Sequence, residues 1–229
     1  MMTAMAISTN HSPAQAVRVR TAWMASQDSQ EPLRAAGTII HVAEGREIFA
    51  EGGDTDTFYK VVSGVVRVCK FLNDGRRQIE AFHVAGEIFG FELGLERSLS
   101  AEAVGDCTLV SYRRNSVEQI AQRNETVSHQ LLQLAMHNLA QAQDHSLVLG
   151  RRGAAEKVAC FILGWSRRCA HEDGVHLAMS RQDMADYLGL TIETVSRSLS
   201  QFERDGVIAL PSTRHLKVLN TDALEDLAA

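Results

Sequence analysis

The sequence predicts an α+β fold in which a β-roll is followed by a long helix and a winged helix-turn-helix. Three observations predict it. Between Gly37 and Tyr112, short β-branched runs are separated by glycine turns, the texture of a compact all-β roll or barrel. From Leu132 to Leu149, apolar or small residues recur at alternating steps of three and four, the pattern of a helix that pairs with another helix. From Arg181 to Arg204, two short helical patterns flank Gly189, the spacing of a helix-turn-helix. At 229 residues and 45% hydrophobic, the chain can bury the cores of two domains.

Residues 1–30 are expected to form a flexible tail, because their Met, Ala, Ser, Thr and Gln show no sustained periodicity. Residues 31–115 form the β-roll, with strands expected at 38–42, 58–62, 65–72, 78–84 and 108–112. Its turns fall at Gly45, Gly52, Gly64, Gly75 and Gly86, where a residue without Cβ tolerates positive φ. Residues 116–150 are expected as one dimerisation helix whose seam is Leu132, Ala135, Leu139, Ala142, Ser146 and Leu149. Ala142 and Ser146 weaken that seam, and packing of the helix on its own roll alone is the competing reading. Residues 151–229 hold an amphipathic helix at 154–168, a polar loop at 170–175, the helix-turn-helix, and a hairpin of strands 206–210 and 216–219 that makes the last domain winged.

The helix-turn-helix carries the chemistry. Ser180 followed by Asp183 reads as a capping box, Gly189 supplies the tight turn, and Thr191 is a good N-cap for the second helix. Small Ala185 lets the two helices cross closely, and Val195, Leu199 and Phe202 give the second helix one apolar face. Ile192, Glu193, Ser196, Arg197 and Ser200 share the opposite face. That set fits the major groove of double-stranded DNA: Arg forks onto guanine, Glu accepts from cytosine, and an aliphatic group meets a thymine methyl. Arg214 and His215 at the hairpin tip reach phosphate or stay solvated; the sequence leaves both open.

Charge sets limits on this reading. The net charge of −5 argues against nonspecific coating of nucleic acid, so the DNA reading rests on motif geometry. Cys69, Cys107, Cys160 and Cys169 show no C-x-x-C spacing; the first three are expected in cores, and Cys169, beside the polar loop, is the thiol open to oxidation. No long apolar run or signal peptide is seen, so no membrane association and a cytoplasmic location are expected. Enzymatic motifs are absent: His41 and His83 have no paired ligand on their strands, and there is no nucleophile elbow or phosphate loop.

The order Gly45, 49–54 (Phe-Ala-Glu-Gly-Gly-Asp), Tyr59, 62–64 (Val-Ser-Gly), Gly75 and 86–90 (Gly-Glu-Ile-Phe-Gly) resembles the β-roll of cyclic-nucleotide-binding domains. With the helix-turn-helix behind it, the chain resembles the CRP/FNR family of bacterial transcription regulators across roughly residues 30–228. Glu193-x-x-Ser196-Arg197 is similar to the FNR and FixK branches, where the CRP branch has glycine at the position of Ser196. The resemblance implies a homodimer paired along the long helix and an inverted repeat of TTGA-type half-sites. In it Arg197 reads guanine, Glu193 cytosine and Ser196 thymine, and Ile192 lies on a methyl group or sugar. It also implies activation through contacts with RNA polymerase, in the regions of 170–175 and 72–77.

No cofactor is expected. An iron-sulfur cluster needs converging thiolates, and residues 1–68, where FNR-type proteins carry most of theirs, contain no cysteine. Glu87, Arg97 and Ser98 keep the spacing with which cyclic-AMP receptors hold ribose and cyclic phosphate, which leaves a cyclic-nucleotide-responsive regulator as the alternative. Against it stand Leu99, where those receptors carry a small residue, and Ala142 and Gln143, where they place hydroxyls. The other reading of Glu87 and Arg97 is that they pair with each other or with neighbours to hold the turns.

Overall fold

A computed structural model describes residues 36–171 and 174–229. The tail expected at 1–30 lies outside the described residues. The roll is built from β1 (Gly37–Val42), β2 (Glu47–Phe49), β3 (Thr57–Ser63), β4 (Val65–Phe71), β5 (Arg77–Val84), β6 (Ile88–Phe89), β7 (Ser100–Ala103) and β8 (Cys107–Arg113). These make two antiparallel sheets, ordered β1-β8-β3-β6 and β2-β7-β4-β5. Tyr59, Val61, Val66, Val68, Phe89, Ala101, Ala103 and Leu109 fill the space between them. The β3–β4 turn requires its glycine: Gly64 has φ +89°, and a Cβ there would lie 2.6 Å from the Asp106 carbonyl oxygen.

The β4–β5 hairpin is two-faced, as the period of two along a strand allows. Val66 and Val68 point into the roll, while Cys69, Ile79, Phe82 and Val84 join the core of the C-terminal half. The two domains read from sequence therefore share one continuous hydrophobic cluster.

The helix expected at 116–150 begins earlier and is broken. It is α1 (Arg114–Arg123) and α2 (Glu125–Gly150), separated by Asn124. Asn124 is extended, with φ −137° and ψ 101°, and its side chain accepts from Val127 N–H, so it stops one helix and caps the next. Two stripes run along α2. Val127, Leu131, Leu134, Asn138, Gln141, His145 and Val148 are buried or half-buried against the chain's own body, whereas every residue of the expected seam is exposed. Leu132 is 59% and Leu139 50% exposed in the single chain, although both stand at heptad positions.

The C-terminal half runs α3 (Ala154–Cys169), β9 (Ala170–His171), β10 (Gly174–His176), α4 (Arg181–Leu188), α5 (Ile192–Arg204), β11 (Ile208–Ser212), β12 (His215–Val218) and α6 (Thr221–Ala228). The polar loop expected at 170–175 is instead two short paired strands, with residues 172–173 outside the described set. Val175 is buried opposite Leu216, which ties this pair into a sheet ordered β11-β12-β10-β9. Pro211, expected in the hairpin connection, belongs to β11; as an edge strand with a bulge between Ala209 and Ser212, it tolerates a residue with no N–H. The sequence reading had no counterpart to α6, which Asn220 caps and which packs Leu224 into the core.

Candidate nucleic-acid interface

Local chemistry fixes the helix-turn-helix. Ser180 Oγ accepts from Asp183 N–H at 3.1 Å and Asp183 Oδ2 accepts from Ser180 N–H at 2.9 Å, the reciprocal cap expected from sequence. Gly189 ends α4 in the left-handed region at φ 63°. Thr191 Oγ1 then accepts from Thr194 N–H at 3.3 Å and starts α5. Met184, Ala185 and Leu188 on α4 and Val195, Leu199 and Phe202 on α5 are all buried.

That packing leaves Ile192, Glu193, Ser196, Arg197 and Ser200 exposed on the outer face of α5, together as expected. Glu193 is held below the usual carboxylate range by hydrogen bonds from its own N–H and from Thr191, helped by the charge of Arg197. It is therefore ionised at neutral pH and ready to accept. Among the described residues, no hydrogen bond or ion pair engages the Arg197 guanidinium, whose five donors remain available. At the wing Arg214 and His215 are both exposed; Arg214 donates to the Ala178 carbonyl, and the His215 ring sits 5.3 Å from that of His176.

The groups read as a possible cyclic-nucleotide clamp are engaged within the chain. Arg97 Nε donates to the Asp54 carbonyl at 2.9 Å, its Nη1 to the Gly90 carbonyl at 2.6 Å and its Nη2 to the Thr57 carbonyl. Its guanidinium also lies 3.9 Å over the Phe49 ring. Glu92 Oε2 accepts from Ser98 N–H at 2.9 Å and from Ser98 Oγ at 2.5 Å, with Glu92 Oε1 3.6 Å from Arg97 Nη1. Glu87 accepts from Arg168 at 2.7 Å and from Gln141 at 3.1 Å. Burial pushes the Glu87 carboxyl toward protonation, but His137, His83 and Arg168 outweigh it and hold the group far below the carboxylate range. Glu87 and Arg97 do not pair with each other; each holds turns through other partners. A cavity of about 320 Å³ lies nearby, between Phe49 and Phe89 of the roll, Asn138 on α2 and Trp165 on α3, and none of Glu87, Arg97 and Ser98 lines it.

The cysteines divide. Cys69 and Cys107 are buried as expected, and burial pushes the Cys69 thiol up to about 11. Cys160, expected in the core, is half-buried with Sγ 3.6 Å from the Ala228 carbonyl oxygen. Cys169 is also half-buried, at the last position of α3.

Sequence reasoning missed the join between the halves. His145 on α2 stacks on Tyr187 of α4 at 3.8 Å and bonds its carbonyl at 2.8 Å; Tyr187 also meets Phe82 of β5 at 5.4 Å. Burial lowers the His145 pKa, against a smaller upward pull from the Tyr187 carbonyl. The unfolded chain thus binds a proton at His145 more readily than the folded one. Its contribution to stability is complete above an unfolded pKa of about 6.5 and is lost as pH falls below it. The melting temperature is expected to drop as pH is lowered from neutral toward 5.5, and to drop less in His145→Gln. Equal drops in thermal denaturation of the two proteins would remove His145 as the cause.

A β-roll joined by a long helix to a winged helix-turn-helix whose second helix turns a polar face outward defines a DNA-binding transcription regulator. Comparison with known proteins agrees in both halves. Residues 39–124 match the cyclic nucleotide-binding domain and residues 156–227 the Crp-like helix-turn-helix domain. The nitrogen fixation regulation protein FixK of Azorhizobium caulinodans is 44% identical, over 89% of this chain and 86% of that protein. The fumarate and nitrate reduction regulatory protein of Escherichia coli is 30% identical, over 82% and 77%. The structure of FixK2 from Bradyrhizobium japonicum superimposes with a TM-score of 0.81 at 41% identity, covering 84% of this chain and 98% of that one. The chain belongs to the CRP/FNR family of transcription regulators, and FixK proteins are among its relatives there. Among the described residues, no helix is long and apolar enough to cross a membrane.

Proposed function

We propose that the protein is a cytoplasmic transcription activator that binds, as a homodimer, an inverted repeat of TTGA-type half-sites and contacts RNA polymerase beside the promoter. The observation that carries this reading is the split of α5 into a buried face, Val195, Leu199 and Phe202, and an outer face bearing Ile192, Glu193, Ser196 and Arg197. On that face Arg197 donates to guanine O6 and N7, Glu193 accepts from cytosine N4, Ser196 meets a thymine, and Ile192 covers a methyl group or sugar. Pairing of two α2 helices along the exposed seam sets the two α5 helices about 34 Å apart, in successive major grooves.

Activation is favoured over repression because relatives carry it in their names, such as the transcriptional activatory protein AadR of Rhodopseudomonas palustris, 38% identical over 82% of this chain. The turn between β4 and β5 and the β9–β10 hairpin are the surfaces assigned to polymerase. Selection of bound duplexes from a random pool tests the reading. The expected product is an inverted TTGA repeat with one preferred spacing; recovery of a single unpaired half-site, or of an unrelated sequence, overturns it.

A further inference from the structure

We propose that an ion-pair clasp between the β-roll and α4 sets the spacer length that the dimer accepts between its two half-sites; this rests on the dimeric reading above. The clasp joins three strands to one helix. Arg67 on β4 stands in register with Glu102 on β7, and its Nε donates to Glu102 Oε2 at 2.7 Å while its Nη1 reaches Asp183 Oδ1 at 3.1 Å. Arg77, at the start of β5, places Nη2 2.5 Å from Asp183 Oδ1 and 2.7 Å from Asp186 Oδ2. The five side chains are no more than 18% exposed. Asp183 and Asp186 lie three apart, hence on one face of α4. The roll side carries two cations and one anion, and the helix side carries two anions.

The clasp is not the only contact, which is why its role is positional. One residue beyond it, Tyr187 packs on Phe82 and His145. Ring packing is non-directional, and the one hydrogen bond from His145 to the Tyr187 carbonyl is a single pivot about which a helix can still turn. Forked guanidinium–carboxylate bonds are directional and permit neither. Buried ion pairs add little net stability once desolvation is charged against them, but in some proteins they fix one geometry among several. α4 is joined to α5 through the tight turn at Gly189 and a shared buried interface, so the tilt of one is the tilt of the other. From α2 to α5 the contacts therefore reach α4 by two routes, directly through His145 on Tyr187 and through the roll and the clasp on Asp183 and Asp186 of the same helix.

Spacing follows from that rigidity. One added base pair moves a half-site by about 3.4 Å and turns it by roughly 35°. A dimer whose α4 helices are clasped cannot follow that displacement without straining DNA or protein. A dimer whose α4 helices have lost the Arg77 fork, and keep only Arg67 on Asp183 and the Tyr187 contacts, follows it more readily.

The test measures affinity for inverted repeats whose spacer is varied one base pair at a time, using the full chain. The variant Arg77→Gln with Asp186→Asn removes both partners together, so no single buried charge is stranded, and it spares Asp183, which caps α4. Wild-type protein is expected to favour one spacer by roughly tenfold over its neighbours, the scale of one mismatched base pair. The double variant is expected to lose most of that preference while keeping its affinity for an isolated half-site. Arg77→Lys, which keeps the charge but loses the fork, is expected to lie between the two and serves if the double variant does not fold. A spacer profile in the folded variants identical to that of wild type overturns the clasp alone. A wild-type protein indifferent to spacer overturns the clasp and the dimeric reading together.

Discussion

Replacing Arg197 with alanine is expected to cost roughly 1–3 kcal/mol at each half-site and to relax preference at one base pair of the repeat. On the dimeric reading the residue is presented twice, and the loss on the full site is expected to be roughly thirtyfold to twenty-thousandfold. The fold is not at stake: Arg197 is exposed on α5 with no hydrogen bond or ion pair to it among the described residues, so the melting temperature is expected to hold. Binding isotherms on the cognate repeat and on its single-base variants read both effects. Uniform weakening on every sequence, with a shallower salt dependence, would instead make Arg197 a phosphate contact.

Leu139→Glu is expected to convert a dimer into a monomer. Leu139 is half exposed in the single chain, so the monomer tolerates the change, but at a helix pair's two-fold axis it removes two leucines and opposes two carboxylates. Full burial of a leucine contributes about 1.5–3 kcal/mol, and even half of that at two sites, with repulsion added, raises the dimer dissociation constant on the order of a hundredfold. Sedimentation velocity reads the oligomer directly. A variant that stays dimeric rules out the stripe through Leu132 and Leu139 as the contact between copies.

What was legible in the sequence is what local chemistry decides. The turn between α4 and α5 depends on Ser180, Asp183, Gly189 and Thr191, each acting within three residues of itself, and the cap geometry is found as read. The five longer strands were visible because β-branched and aromatic residues recur through stretches of five residues or more between glycine turns. β2, β6 and β7, at two to four residues, are too short to display alternation and exist because neighbouring strands pair with them. The stretch at 170–175 is polar, and only the burial of Val175 against Leu216, about forty residues on, makes it a strand.

Two misses had a local signal. Asn124 before Glu125-Thr126-Val127 is an N-cap pattern inside what reads as one helix, and Asn220 before Leu224 and Leu227 is another. Charge pairing had none. Arg77 and Asp186 are 109 residues apart, and nothing in either neighbourhood names the other. The outward face of α5 was legible as a pattern, because burying Val195, Leu199 and Phe202 determines which side chains must turn outward.

The carboxylate of Glu92 has a consequence for any signal that would act through the roll. It belongs to the same chain as Ser98, six residues away, so it is never diluted. A short tether gives such a group an effective concentration on the order of millimolar. A phosphate reaching Ser98 competes with an occupant that cannot diffuse off, and a ligand present at micromolar levels loses that contest unless it gains contacts elsewhere.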